Sequence, residues 1–239
     1  NIDPKKIKEC LTPKTKAIIG VDFTGQPADL DGIGEIAKNS GLAFIEDAAH
    51  SLGTTYKKRR VGSIADMTTF SLHAVKHITT GEGGVVVTNC SKLADRLRRF
   101  RNHGITRDHH QRQKDGTWFY DMEEMGFNYR LTELNSVLGI SQLQKLPMLL
   151  DRRQEIALQY NEAFAELPQV ATPMGHPDSR SAWHLYIIRL NLEYLTKDRD
   201  EIFHSLRAEN IGVNVHYIPV PWLAYYQKLG YQKGSWPVA

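Results

Sequence analysis

The sequence predicts an α/β fold with a mostly parallel sheet, followed by a smaller α+β unit. Three observations carry this reading. Two short apolar runs, "KAIIGVD" (16–22) and "LAFIED" (42–47), each end in acids and read as buried strands. The stretch between them, "ADLDGIGEIAKNSG" (28–41), has apolar residues at helical spacing and a glycine stop. Beyond Pro147 the sequence changes style, to a proline-bearing loop, a strand-like run and a helix.

Taken in order, residues 1–14 read as a short helix, with Asp3 able to cap it and Pro4 suited to its first position. The strand, helix and strand above follow, and they leave Asp47 at a strand's carboxyl end, where parallel sheets gather their ligands. A turn-rich stretch, "YKKRRVGS", leads to two further strand candidates, "MTTFSL" (67–72) and "GVVVTN" (84–89). "SKLADRLRRFRNHG" (91–104) is helical with Ser91 as a candidate cap. Residues 105–125 are polar and irregular, long enough for a functional loop. Two helices broken at Pro147 come next (128–146 and 149–167), then a strand over 182–190, a helix over 199–209 and "GVNVHYIPV" (212–220). The domain change is placed at Pro147, giving a cofactor-binding domain over 1–147 and a smaller domain over 148–239.

The bulk numbers exclude several classes. The chain has 239 residues, 41% hydrophobic and 24% charged, as in an ordinary globular protein, and no apolar run approaches a membrane span. A net charge of +3 is too mild to suggest nucleic acid, and the "KKRR" and "RLRRFR" clusters read as solvated faces. Two isolated cysteines, Cys10 and Cys90, define neither a disulfide framework nor a zinc site, which points to a reducing cytoplasm.

The chemistry concentrates in "SLHAVKHITTGEGGVVVTN" (71–89), whose one lysine, Lys76, lies between two strands. A phosphate loop is excluded, because its glycines would run into a helix with the lysine inside it, whereas here "GEGG" runs into a strand and the lysine comes first. A metal site is disfavoured: His73 and His77 share a face only on a helix, and no third ligand is near. Two readings stay open. Lys76 is a surface loop lysine, or it is a desolvated amine that forms an imine with an aldehyde. The second would suit pyridoxal phosphate, which also needs an acid at its ring nitrogen, and Asp47 is of the right type.

Five motifs in order decide further: "EDAAHSLG" (46–53), the Lys76 stretch, "MGFNYRLTELNSVLGISQL" (125–143), "AWHLYIIRL" (182–190) and "VHYIPV" (215–220). Together they resemble the DegT/DnrJ/EryC1/StrS sugar aminotransferases over essentially the whole chain. Within that family, "VDFTGQPADLD", "HAVKHITTGEGG", "RNHGITRD" and "WFYDMEEMGFNYRLTELNSVLG" are most similar to the branch that aminates C4 of a UDP-linked 4-keto-6-deoxy-N-acetylhexosamine, with glutamate as donor, in pseudaminic acid synthesis. The resemblance implies a fold type I pyridoxal-phosphate transferase, a homodimer of the cytoplasm. It implies that Lys76 holds the cofactor and shuttles protons, and that Asp47 pairs with the pyridinium nitrogen. It places His50 by the ring, Ser71 on the phosphate, Asn128 on the phosphate of a neighbouring subunit's cofactor, and His216 and Tyr217 in the nucleotide-sugar cleft.

Rival readings accompany the lesser residues. His50 is also readable as a satisfied buried histidine, Ser71 as a partner for backbone groups, Asn128 as a helix N-cap, and His216 and Tyr217 as strand packing. The ends depart from the family pattern. "NIDPKKIKEC" opens mid-pattern and "GSWPVA" closes without a helix, so the expectation is a truncated chain with an incomplete large domain, binding the cofactor weakly and self-associating. The alternative function is a non-catalytic remnant that acts as a dimerising or interaction protein.

Overall fold

A computed structural model describes residues 1–234; residues 235–239, the end of the "GSWPVA" stretch, lie outside the described residues. The chain divides into two compact units. The first comprises residues 1–163 and 174–186, the second residues 164–173 and 187–239.

The first unit opens with α1 (Pro4–Cys10), where Asp3 accepts from the Lys5 N–H and Pro4 takes the first turn. The helix is shorter than the fourteen residues expected because Pro13 cannot continue it. β1 (Ala17–Val21) leads through a one-turn helix to α2 (Leu30–Asn39), capped by Asp29. α2 buries Leu30, Ile33, Ile36 and Ala37 against β1 and β2 (Ala43–Asp47), the stripe its sequence spacing predicts. The turn-rich stretch is a hairpin of β3 (Thr55–Tyr56) and β4 (Arg59–Arg60). Its basic residues are exposed, and Lys57 and Arg59 both pair with Asp31. β5 (Met67–Ser71) and β6 (Gly84–Val87) complete a four-stranded sheet in the order β1-β2-β5-β6, parallel except for β6. Ile18, Phe44 and Phe70 lie in the core with the α2 stripe.

α3 (Ser91–Phe100) follows, shorter than the stretch 91–104 expected, and its N-cap position is Cys90, so Ser91 is its first residue and not its cap. The irregular stretch 105–125 contains one further short helix, α4 (His109–Lys114), closed by a capping box from Asp108 and Gln111. Just before the stretch, Gly104 sits at φ +69°, where a Cβ would collide with the Glu124 carbonyl oxygen.

Three expectations are corrected. Pro147 does not break the chain into two helices: α5 (Glu133–Phe164) runs through it. A proline removes one N–H and crowds one carbonyl, which a long helix held at other points absorbs. Asn128 is not a helix N-cap, because α5 starts five residues later and Thr132 Oγ1 accepts from the Asn135 N–H. Finally, 182–190 is not one strand. Only its last two residues pair as a strand, and its first half is held within the first unit by the Arg153 and Thr54 side chains and by the Ala182 and Leu185 N–H groups on Gly25 O and Thr24 O.

The remaining elements are small. In the second unit β7 (Val170–Ala171) pairs with a strand over 189–190. In the first, β8 (Ser179–Arg180) extends the hairpin through β3. The partner of β7 is β9 (Arg189–Leu190), and α6 (Arg199–Ala208) and α7 (Ala224–Lys228) follow. The stretch 212–219 forms no strand, so His216 and Tyr217 are not strand-packing residues.

Candidate active site

The site is built on the carboxyl ends of the sheet. Asp47 is the last residue of β2, in register with Val21 of β1. The Asp22 N–H donates to its carbonyl at 3.0 Å, and the next residue, Ala48, donates to Thr69 of β5 at 2.9 Å. The Asp47 main chain is therefore held from both neighbouring strands. Its Oδ1 accepts from the Ala49 N–H at 3.1 Å, which sets the side chain toward the loops beyond the strand end.

Lys76 stands in the connection between β5 and β6. That connection is closed on itself by Leu72 N–H to Gly83 O and Thr80 N–H to Leu72 O, each 2.9 Å, and Lys76 N–H caps a turn on His73 O. Gly83 permits the closure, since a Cβ there would stand 2.5 Å from Thr80 Oγ1. Lys76 is half-buried, and burial pulls its amine below the ordinary lysine value while Asp47 acts in the opposite sense. The structure thus brings Lys76 and Asp47 within electrostatic reach. A partly desolvated amine and a fixed carboxylate are what an aldehyde cofactor with a basic ring nitrogen requires.

The other expected residues divide. His50 lies in the turn after β2; its Nδ1 accepts from the Thr24 N–H at 3.3 Å, so that nitrogen carries no proton. Ser71 ends β5, and its Oγ accepts from the His73 N–H at 3.3 Å, the backbone role named as its rival reading; its hydroxyl keeps a proton to donate. Asn128 is exposed and pairs with Asn102 in an isolated bridge. His216 and Tyr217 belong to the second unit, with Tyr217 exposed.

A layer of residues behind Lys76 escapes the sequence reading. The ring of His184 lies 4.4 Å from that of His50 and 5.3 Å from that of His77, centroid to centroid. His77 is buried and its Nε2 lies 3.1 Å from Ala182 O, so the neutral ring donates there. Its Nδ1 is buried without a donor, in keeping with that tautomer. Arg153 of α5 donates to Trp183 O at 2.9 Å and His184 O at 3.3 Å. Burial first, then neighbouring positive groups, lower His77 to about 4 and His184 to about 3. Both are neutral at physiological pH and add no positive charge beside Lys76. His73, by contrast, is exposed beside Glu82, so the two histidines weighed as a metal pair diverge.

The family model described as "DegT/DnrJ/EryC1/StrS aminotransferase family" matches residues 1–239. The chain belongs to that family. It is 43% identical over 242 residues to the spore coat polysaccharide biosynthesis protein SpsC of Bacillus subtilis, which covers 100% of this chain and 62% of SpsC. Its structure is similar to Helicobacter pylori PseC, an aminotransferase involved in pseudaminic acid biosynthesis, with a TM-score of 0.87 and 35% identity over 96% of this chain and 60% of PseC. It is also similar to the PLP-form of the sugar aminotransferase Spr1654 from Streptococcus pneumoniae, with a TM-score of 0.87 and 31% identity over 99% of this chain and 63% of that one. The fold of this DegT/DnrJ/EryC1/StrS member is therefore that of the fold type I aminotransferases. The chain spans about three-fifths of the length of these relatives.

Proposed function

We propose that the protein transfers an amino group from an amino acid, L-glutamate, to C4 of a UDP-linked 4-keto-6-deoxy-N-acetylhexosamine, with pyridoxal 5'-phosphate as cofactor. The observation that carries this reading is the half-buried Lys76 amine opposite the Asp47 carboxylate at the sheet's carboxyl end. Family membership supports the reaction class, and the similarity to PseC supports the sugar.

When bound, pyridoxal phosphate supplies an electron sink for the carbon that loses its proton. The chain's own residues do the rest. Lys76 Nζ, its basicity lowered by burial, would hold the cofactor covalently, and once released it would take a proton from, or return one to, the substrate carbon that bears the nitrogen. The Asp47 carboxylate holds a proton on the ring nitrogen, which a neutral partner could not do as well. His50, packed on His184, would face the ring, and Ser71, whose hydroxyl keeps a proton, would donate to the phosphate. Asn128, exposed, serves the phosphate of a neighbouring subunit in a cytoplasmic homodimer, and His216 and Tyr217 line the nucleotide-sugar cleft.

The test is an assay of UDP-linked 4-keto sugars with glutamate, followed by NMR of the product. A 4-amino sugar formed with loss of glutamate supports the reading. Turnover of other carbonyl acceptors with none of the nucleotide sugar contradicts it.

A further inference from the structure

Two acids that this chemistry does not use lie beneath Asp47. Asp22 follows the last residue of β1, Glu46 is the penultimate residue of β2, and both are 0% exposed. Strand alternation turns Glu46 to the opposite face of the sheet from Asp47, the face that carries Ile18 and Phe44 into the core. One oxygen of each carboxyl is occupied. Asp22 Oδ1 accepts from the Ala28 N–H at 2.9 Å, and Glu46 Oε2 accepts from the Thr68 hydroxyl at 2.8 Å and the Gly62 N–H at 3.3 Å. The remaining oxygens, Asp22 Oδ2 and Glu46 Oε1, are buried with no hydrogen-bond partner among the described residues.

Each carboxyl acts on the other, and a bond between their two unpartnered oxygens would require one of them to keep a proton. Two neighbouring carboxylates cannot both stay ionised in a core. Such a bond would favour the acid form of Asp22 and the ionised form of Glu46, whose other oxygen already has two donors. Burial, then Glu46, raises Asp22 to about 7; Glu46 is the ionisable group that acts on it, the other neighbours being Ser51, Ala28 and Thr68.

We propose that Asp22 and Glu46 share one proton, carried on Asp22 Oδ2 and donated to Glu46 Oε1, and that this acid pair positions Asp47. Both members hold Asp47 directly: the Asp22 N–H bonds to its carbonyl, and Glu46 is its chain neighbour. Locking the two side chains together fixes the ends of β1 and β2 on which the Asp47 carboxylate is aimed. The positioning half rests on the role given to Asp47 above; the shared proton does not.

A shared proton has a mutational signature. Asp22→Asn keeps a donor toward Glu46, and Glu46→Gln keeps a donor toward Asp22, so each amide replaces the proton. With both amides, one N–H group must face another, because flipping either amide sets it against Ala28 N–H or Gly62 N–H. Three measurements on the full chain follow. Infrared spectra taken below about pH 7 should show a buried carboxylic-acid band that disappears in either single variant. The unfolding equilibrium should move little in the singles, and in the double variant by roughly 5–100-fold beyond the product of the singles. With pyridoxal phosphate bound, the pH profile of its absorbance should match the unsubstituted protein in the singles and shift in the double variant. A double variant too unstable to fold is the extreme of the expected coupling, and the infrared band then decides. An acid band that survives in both singles, strictly multiplicative unfolding effects, or an unshifted absorbance profile in a folded double variant would each overturn the proposal. The infrared and unfolding measurements need no cofactor, so failure of the acid pair is distinct from failure of the function, which would register as no absorbance band at all.

Discussion

At the residue scale the account rests on a few side chains and the charges they keep. Asp47→Asn should harm chemistry more than cofactor binding, since the covalent tie and the phosphate contacts remain while the ring nitrogen loses its charged partner. One lost buried ionic hydrogen bond is worth roughly 2–4 kcal/mol, so turnover should fall roughly 30–900-fold at nearly unchanged cofactor affinity, measured by steady-state kinetics beside a pyridoxal phosphate titration. His77 makes a prediction about pH. Its value falls from 6.5 in the unfolded chain to about 4 in the folded one. The unfolded chain therefore binds more protons between these values, and the stability present above 6.5 is lost as pH falls toward 4, by at most about 1.4 kcal/mol per pH unit. Gln at this position can still donate to Ala182 O without titrating, so the difference in denaturant midpoint between His77→Gln and the unsubstituted protein should change across that window. A constant difference would contradict the neutral buried ring. The positions of Asp47 at a strand end and of Lys76 between two strands were legible because both are local signals, whereas their proposed roles came from the resemblance. The His50, His77 and His184 layer was not, because its members come from distant parts of the chain, His50 and His184 being 134 residues apart. Nor was the Asp22 and Glu46 pair: both acids read only as the ends of buried strands, and it is the observed register that brings them to one face.

At the scale of elements, β1, α2, β2, β5 and β6 formed where their patterns placed them, since short apolar runs and a helical stripe each have one way to be buried. The misreadings came from signals that compete with packing. Pro147 is a strong local stop, yet it is exposed and α5 continues through it. Pro147→Ala should restore one helix hydrogen bond and raise stability by roughly 1–3 kcal/mol, seen as a higher Tm; a lower Tm would show that the proline shapes the native helix. The run over 182–188 is strand-like in composition, but its carbonyls are taken by Arg153 and His77 rather than by a ladder. Gly104→Ala should destabilise by more than about 1 kcal/mol, since its Cβ would collide with backbone at Glu124 and its φ is positive.

At the scale of the whole molecule, the first unit leaves large apolar side chains exposed. Leu134 and Val137, one turn apart on α5, are 85% and 66% exposed. Patches of this kind mark association surfaces, and the proposed homodimer would use this one. Sedimentation of the chain should show self-association that Leu134→Glu with Val137→Glu weakens; a monomer at all concentrations would contradict it. Among the described residues no helix is long and apolar enough to cross a membrane. The central claim concerns one nitrogen atom. Incubation with pyridoxal phosphate, borohydride reduction and peptide mapping should place a single pyridoxyl group on Lys76. An adduct on another lysine, such as Lys16 or Lys145, or none on Lys76, would contradict the account.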